Sequence, residues 1–357
     1  MTARLLHQLP PAENNPRNSE GAFIRGKNGE ILFAYSRYTG TSCHDHAACD
    51  IALIRSTDEG ESWSEPEIIV KASQFNTQNV MSVSALEQEN GDIGFYFLIK
   101  ENDFTTTIGR AISSDGVNFT AERCACEFTP AYYVINNDRF VKLKNGRILV
   151  PAAFIYGEEN RKATAGEGRY GYRATMLYSD DGKTFLGSEW VRTLVENMDK
   201  TYGLQEPGVI EREDGSLYYW MRTGVGRQYD CLSSGEDIND LGEPAPSRFT
   251  SPPSPMQVKK YDGVTYYVYN PVPIYDGRIM AEGSWGRTPF VVRKSLDNKT
   301  FGELNIIEDE YTRGYCYPAM FKTEDGCLLL AYCRGDAADG NTLCRLGITK
   351  ISIGEIK

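Results

Sequence analysis

The feature that most constrains this chain is a phrase that recurs six times: an Asn-Gly or Asp-Gly turn followed at once by an apolar, aromatic-rich strand. The copies are KNGEILFAYSR, ENGDIGFYFLI, KNGRILVPAAF, EDGSLYYWMRT, YDGVTYYVYNP and EDGCLLLAYCR. Their turn glycines are Gly29, Gly91, Gly146, Gly215, Gly263 and Gly326, so successive copies lie 62, 55, 69, 48 and 63 residues apart. Asn-Gly and Asp-Gly favour the type I′ turn, whose twist matches that of the strands it joins, so each phrase predicts a hairpin. A period of this length suits one four-stranded sheet with long loops, and sheets repeated radially close into a ring.

A second phrase falls between the hairpins. Its clearest copy is Ser56-Thr57-Asp58-Glu59-Gly60-Glu61-Ser62-Trp63, with shorter ones at Ser113 to Phe119, Ser179 to Phe185 and Ser295 to Phe301 and a degraded trace from Leu232. Asp and Ser side chains in such a stretch satisfy backbone donors of a tight turn, and the aromatic ring anchors the turn. These segments resemble the Asp-box, S-x-D-x-G-x-[ST]-[WF], of the sialidase (BNR repeat) superfamily. Together with the six hairpins, the resemblance runs from about Ser19 to Tyr332. It implies an all-β fold, a six-bladed β-propeller of four-stranded antiparallel blades, with residues 1–357 forming a single domain and helices almost absent.

Composition fits this reading and narrows the partners. The 22 Tyr, 15 Phe and 34 Gly suit strands and tight turns. A net charge of -11 disfavours nucleic acid and anionic membranes, which most of the surface would repel. No stretch reaches the length of a membrane span, and the N-terminus has no apolar core of signal-peptide length. The nine Cys form no disulfide framework, and Cys49, Cys231 and Cys327 lie in apolar segments. A soluble cytoplasmic protein with buried thiols is the expectation. Cys124 and Cys126 make a lone C-x-C, and with only three His no metal site or other cofactor is expected.

In a propeller the innermost strand of each blade lines the central channel, so residues opening successive repeats converge. The openings are NSEGAFI, NVMSVSAL, NNDRFVKL, LQEPGVIE, SPPSPMQV and YCYPAMF. Several carry polar or charged residues beside apolar ones, an expense that a purely structural strand rarely needs. The resemblance implies a carbohydrate substrate and assigns roles. Glu206 is the base and Tyr317, or alternatively Tyr315, the nucleophile. Asp45 is the acid and base toward the leaving group. Arg222 and Arg287 bind a substrate carboxylate, since a guanidinium makes paired, charge-assisted bonds to one. A Tyr nucleophile avoids the repulsion that a carboxylate would meet from such a substrate.

Arg37, His44, Asp138 and Arg139 are further pocket candidates. The front of the chain departs from the family: its Arg-Ile-Pro opening is absent, and Glu20 or Ser19 stands at the corresponding strand start. A carboxylate there would repel a substrate carboxylate, with Arg17, Arg37 or Arg139 available to compensate. Ordinary structural roles are also open to these residues: inter-blade ion pairs for the arginines, core packing for Tyr317, loop solvation for Asp45. Three functions remain open. The first is a sialidase-like retaining exo-glycosidase on a terminal acidic sugar. The second is a glycosidase on a neutral or uronic sugar using a carboxylate pair, Asp45 with Glu206 or Asp138. The third is a non-catalytic carbohydrate- or protein-binding propeller.

Overall fold

All six predicted hairpin turns form, and their glycines take left-handed φ values between 77° at Gly91 and 91° at Gly146. An L side chain reaches that region only with strain, which is why the turns need glycine. The computed structural model describes residues 1–167, 171–194, 203–271 and 280–357. Each turn joins the innermost strand of a sheet to the second strand, and six sheets surround a common axis.

The first blade contains Asn18–Arg25, Ile31–Tyr38, Cys49–Ser56 and Glu67–Val70, counted outward from the axis. The second runs Val80–Glu87, Ile93–Asn102, Thr105–Ser113 and Thr120–Arg123. The fourth runs Gln205–Glu211, Leu217–Arg222, Arg227–Leu232 and Ala245–Thr250, and the fifth Gln257–Tyr261, Val264–Tyr269, Phe290–Ser295 and Asn305–Glu308. In the sixth, Cys316–Lys322, Cys327–Cys333 and Leu346–Ser352 are completed by Ala3–Leu9, so the first strand of the chain is the outer strand of the last blade. The inner strand Asn18–Arg25 touches both Val80–Glu87 and Cys316–Lys322, which closes the ring.

The third blade departs from the regular pattern. Its inner strand is split into Tyr132–Val134 and Val141–Lys142, both paired with Ile148–Ile155. Beyond Arg173–Ser179 and Thr184–Arg192, Ala125–Glu127 adds a parallel outer strand. A short α-helix of 8 residues, Gly157–Thr164, rides on the loop that follows Ile155 and buries no residue.

Alternation along the strands decides what holds the ring together. Leu32 and Ala34 face the second blade, whereas Ile31, Phe33 and Tyr35 face the sixth. Tyr266 packs toward the sixth blade and its neighbour Tyr267 toward the fourth. Each of the six interfaces between adjacent blades thus has its own apolar cluster. A fully buried Leu or Phe contributes roughly 1.5–3 kcal/mol, so these clusters, rather than ion pairs on the rim, set the stability.

The Asp-boxes lie at the turns between third and fourth strands of the first, second, third and fifth blades. Asp181 shows their function: its Oδ1 accepts from the backbone N–H of Lys183 and Thr184 at 2.7 Å each, and from Ser179 Oγ at 3.0 Å. Trp63 of the first box packs on Phe23 and Phe33. The fourth blade has only the degraded copy, and the sixth needs none because its outer strand comes from the other end of the chain. Cys49 and Cys231 are buried, but Cys327, beside the last hairpin turn, is only partly so.

Candidate active site

The inner strands share a local irregularity that positions the site. Register shifts interrupt the ladders at Ser19/Ala22, Met81/Ser84, Gln205/Gly208 and Cys316/Ala319. Within each bulge one non-glycine residue takes left-handed φ: Glu20 at 54°, Ser82 at 61°, Glu206 at 45° and Tyr317 at 56°. Asp138, in the split inner strand of the third blade, has φ 58°. A bulge re-aims a side chain, and left-handed backbone at a non-glycine residue costs roughly 1–2 kcal/mol. Here four blades carry that cost at equivalent points, and all four bulge residues line one cavity of about 530 Å³ at the axis. Strain of this kind clusters at functional sites.

Glu206 and Tyr317 meet directly: the Tyr317 hydroxyl donates to Glu206 Oε1 at 2.6 Å. Arg222 Nη1 lies 2.6 Å from the other carboxylate oxygen, so Glu206 joins a phenol to a guanidinium. Burial pushes the Tyr317 phenol well above its ordinary range, Glu206 adds to the rise, and Arg222 and Arg287 oppose it. Arg287 sits between Trp285 and Tyr317, its guanidinium 4.9 and 5.6 Å from their ring centroids. It donates to Pro253 O through Nε and Nη2 and to Cys316 Sγ through Nη1 at 2.9 Å.

The opposite wall is built on Arg17. Its buried guanidinium bridges two carboxylates, with Nη2 at 2.6 Å from Glu20 Oε1 and Nη1 at 2.5 Å from Asp45 Oδ1. Nε donates to Ser19 Oγ at 2.9 Å, and the group lies 4.4 Å from the Tyr38 ring centroid. Ser82 Oγ hydrogen-bonds Glu20 Oε2 at 2.5 Å. Lys100 and Asn79 donate to the backbone carbonyl of Asp45, which fixes the loop. Partial burial would raise the Asp45 carboxyl, but Arg17 and then Lys100 outweigh it and hold the group at about 2. For Glu20 the balance is reversed: burial, with Asp45 and Glu206 nearby, raises it despite Arg17 and Ser82.

Asp45, Glu206, Arg222, Arg287, Tyr317 and Glu20 therefore share one cavity, although they come from widely separated parts of the chain. Five other candidates do not. Tyr315 is a core residue, packed against Phe290 and Tyr332, because the bulge at Tyr317 turns its neighbours the other way. Asp138 and Arg139 point elsewhere along the axis: Asp138 binds Lys259 Nζ and the Met320 N–H, and Arg139 binds Gln257 and the Met256 carbonyl. They border a separate recess of about 330 Å³. Arg37 lies opposite Asn18 and Asp50 in its sheet and does not line the cavity. His44 is exposed outside it, its ring 5.7 Å from that of His46.

Several lining residues were not singled out from the sequence: Ser82, Lys100, Tyr132, Asn136, Tyr172 and Trp285. For Ser82 the signal was present in NVMSVSAL, where it holds the place of Glu20 in NSEGAFI and Tyr317 in YCYPAMF. Trp285 stands two residues before Arg287 in SWGR. Among the described residues no group of three or more His, Cys, Asp or Glu is placed to hold a metal ion, and no helix is long and apolar enough to cross a membrane.

The sequence pattern of the BNR repeat-like domain family matches residues 42–330, most of the chain. The chain belongs to the BNR repeat-like domain family. Its fold is also that of solved sialidases. It resembles the Hadza microbial sialidase Hz136 with a TM-score of 0.73 at 14% identity, over 96% of this chain and 67% of that one. The K499G mutant of the NanB sialidase from Streptococcus pneumoniae gives 0.69 at 12% identity, over 99% of this chain and 71% of that one. A protein of unknown function from Dyadobacter fermentans gives 0.70 at 17% identity and matches end to end, with 98% of each chain covered. No curated protein matches the chain. At these identities the likeness establishes a sialidase-like propeller, and this BNR repeat-like protein's chemistry has to be argued from its own cavity.

Proposed function

We propose that this BNR repeat-like protein is a retaining exo-glycosidase that removes a terminal acidic sugar, with Tyr317 as nucleophile and Glu206 as its base. The observation that carries the reading is the 2.6 Å hydrogen bond from the Tyr317 hydroxyl to Glu206 Oε1 inside the axial cavity. A phenol is a weak nucleophile until a base takes its proton, and a positioned carboxylate supplies that base. In the first displacement Tyr317 Oη bonds to the anomeric carbon and its proton passes to Glu206. The glycosidic C–O bond breaks, and the leaving oxygen takes a proton from a carboxyl group across the cavity, the role that the family resemblance assigns to Asp45. Water then attacks the glycosyl-tyrosine and surrenders its proton to that carboxylate, while the departing phenolate recovers its own from Glu206. Two inversions leave the anomeric configuration unchanged.

Arg287 supports an acidic sugar. Arg17 and Arg222 already face carboxylates, whereas Arg287 is bound to a carbonyl and a thiol and so retains charge for an anionic substituent. A second reading, a glycosidase on a neutral or uronic sugar that works through a carboxylate pair, is favoured by the presence of three carboxylates, Glu20, Asp45 and Glu206, in one cavity. A panel of methylumbelliferyl glycosides on purified protein separates the readings. Turnover of a sialoside that is lost in Tyr317→Phe supports the proposal; turnover of neutral sugars or uronides that is kept by Tyr317→Phe supports the second. Turnover of none sinks both and leaves a binding propeller.

A further inference from the structure

We infer that Glu20, rather than Asp45, is the residue that exchanges a proton with the leaving group; the inference rests on the glycosidase reading above. A general acid must hold its proton before the reaction begins. Both Asp45 and Glu20 lie against Arg17, at 2.5 and 2.6 Å, but Asp45 does not meet that requirement: its side chain is open to solvent, and Lys100 adds to Arg17 in stabilising its ionised form. With its carboxyl held well below the usual range, Asp45 is ionised at pH 7.

Two carboxylates share the single charge of Arg17, while a third, Glu206, faces the same space with Arg222 as its own partner. Like charges crowded around one cation make it favourable for one of them to bind a proton, and the proton goes to the group for which ionisation is hardest. That group is Glu20. Its side chain is 5% exposed, against 57% for Asp45. The charged groups acting on it are Arg17, Asp45, Glu206 and, across the cavity wall, Lys100. Its Oε2 is 2.5 Å from Ser82 Oγ, a hydroxyl that donates a hydrogen bond to a carboxylate and can instead accept one from a neutral carboxyl.

Position agrees with charge. Glu20 occupies the same bulge, with the same left-handed φ, as Glu206 and Tyr317, and lines the same cavity. In the step proposed, the glycosidic bond's electron pair goes to the leaving oxygen as that oxygen takes the Glu20 proton. The Glu20 carboxylate, stabilised by Arg17, then takes the proton of the attacking water, so the residue ends as it began. Asp45 is thereby a positioning residue, which holds Arg17 against Glu20.

The test compares Glu20→Ala and Asp45→Ala on two aryl glycosides of one sugar, a dinitrophenyl glycoside, whose phenol leaves unaided, and a methylumbelliferyl glycoside, whose phenol needs protonation. Azide is added in a parallel series. Glu20→Ala should lose about 100-fold or more on the poor leaving group relative to the good one. Azide should accelerate its turnover of the dinitrophenyl glycoside and yield a glycosyl azide of retained configuration, since azide needs no base. Asp45→Ala should show neither effect. If Glu20→Ala does not fold, Glu20→Gln preserves shape and should give the same leaving-group split. The inference is overturned if Asp45→Ala shows the split and the azide product, or if the Glu20 variants lose both substrates equally without response to azide. Absence of turnover by the unmodified protein on either glycoside overturns instead the glycosidase reading beneath it.

Discussion

Replacing Glu206 by Gln keeps the side chain's shape and removes its basicity and charge, so rate and stability should respond very differently. A positioned general base contributes about 10²–10⁴ in rate, which at 1.36 kcal/mol per tenfold raises the barrier by about 2.7–5.4 kcal/mol. Stability loses the ion pair to Arg222. Breaking a buried pair costs about 3–5 kcal/mol, but Arg222 is 15% exposed and borders a cavity of about 530 Å³ that admits water, so about 2 kcal/mol is the better figure. Unfolding entropy of about 2.1 cal/mol/K per residue gives roughly 0.75 kcal/mol/K for a chain of 357 residues. The melting temperature should then fall by only about 3 °C. The assay is initial rate on the best methylumbelliferyl glycoside beside a thermal melt of the same sample. Because Tyr317 and Glu206 act as a unit, Tyr317→Phe combined with Glu206→Gln should be no slower than the worse single variant. A kcat within about threefold of the original, or a melting temperature lowered by more than about 10 °C, would refute the assignment: the first removes the base, the second makes Glu206 a structural residue.

Two further substitutions probe the surroundings. Among the described residues the Tyr315 hydroxyl is buried without a hydrogen-bond partner, so Tyr315→Phe should leave activity unchanged and keep or raise the melting temperature, by the equivalent of about 1 kcal/mol; loss of activity would return Tyr315 to the site. At Asp181, hydrogen bonds from Thr184, Lys183 and Ser179 outweigh burial and hold the carboxyl at about 2. A depressed pKa stabilises the fold above the unfolded value near 3.8 and ceases to do so as pH falls through about 2. The melting-temperature gap between the original protein and Asp181→Asn should therefore be constant from pH 7 to about 5 and close between about pH 4 and pH 2. A gap independent of pH would show that the box acts without its charge.

The repeat was legible because turns speak locally. An Asn-Gly or Asp-Gly pair and an Asp-box each encode their backbone in a few adjacent residues, and six and four copies of them place the blades. Glu206, Arg222, Arg287 and Tyr317 were named by the family resemblance, matched to their places relative to those turns. What local reading could not give is the effect of a bulge, since a bulge shifts alternation by one residue and reverses which neighbour faces the axis. That is why Tyr315 competed with Tyr317 until the register shift at Cys316/Ala319 separated them. Asp138 shares the left-handed backbone of Glu20 and Glu206, yet its carboxylate binds Lys259, Gln257 and the Met320 N–H away from the cavity. Arg17 was placed among groups that compensate for a missing arginine, and its actual partners, Glu20 and Asp45, come from a strand and a loop that only the folded ring brings together. Closure by Ala3–Leu9 was equally silent, because pairing with Leu346–Ser352 at the far end of the chain leaves no mark in either segment.

The tyrosine mechanism requires a covalent bond between the sugar and Tyr317. A fluorinated glycosyl fluoride of the sugar that the protein turns over slows breakdown of the intermediate more than its formation, so the labelled protein can be digested and sequenced by mass spectrometry. The label should be found on the Tyr317 phenolic oxygen, in the peptide containing YCYPAMF. A label on Glu20, Asp45 or Glu206 instead, in protein that still hydrolyses its substrate, would contradict the tyrosine mechanism.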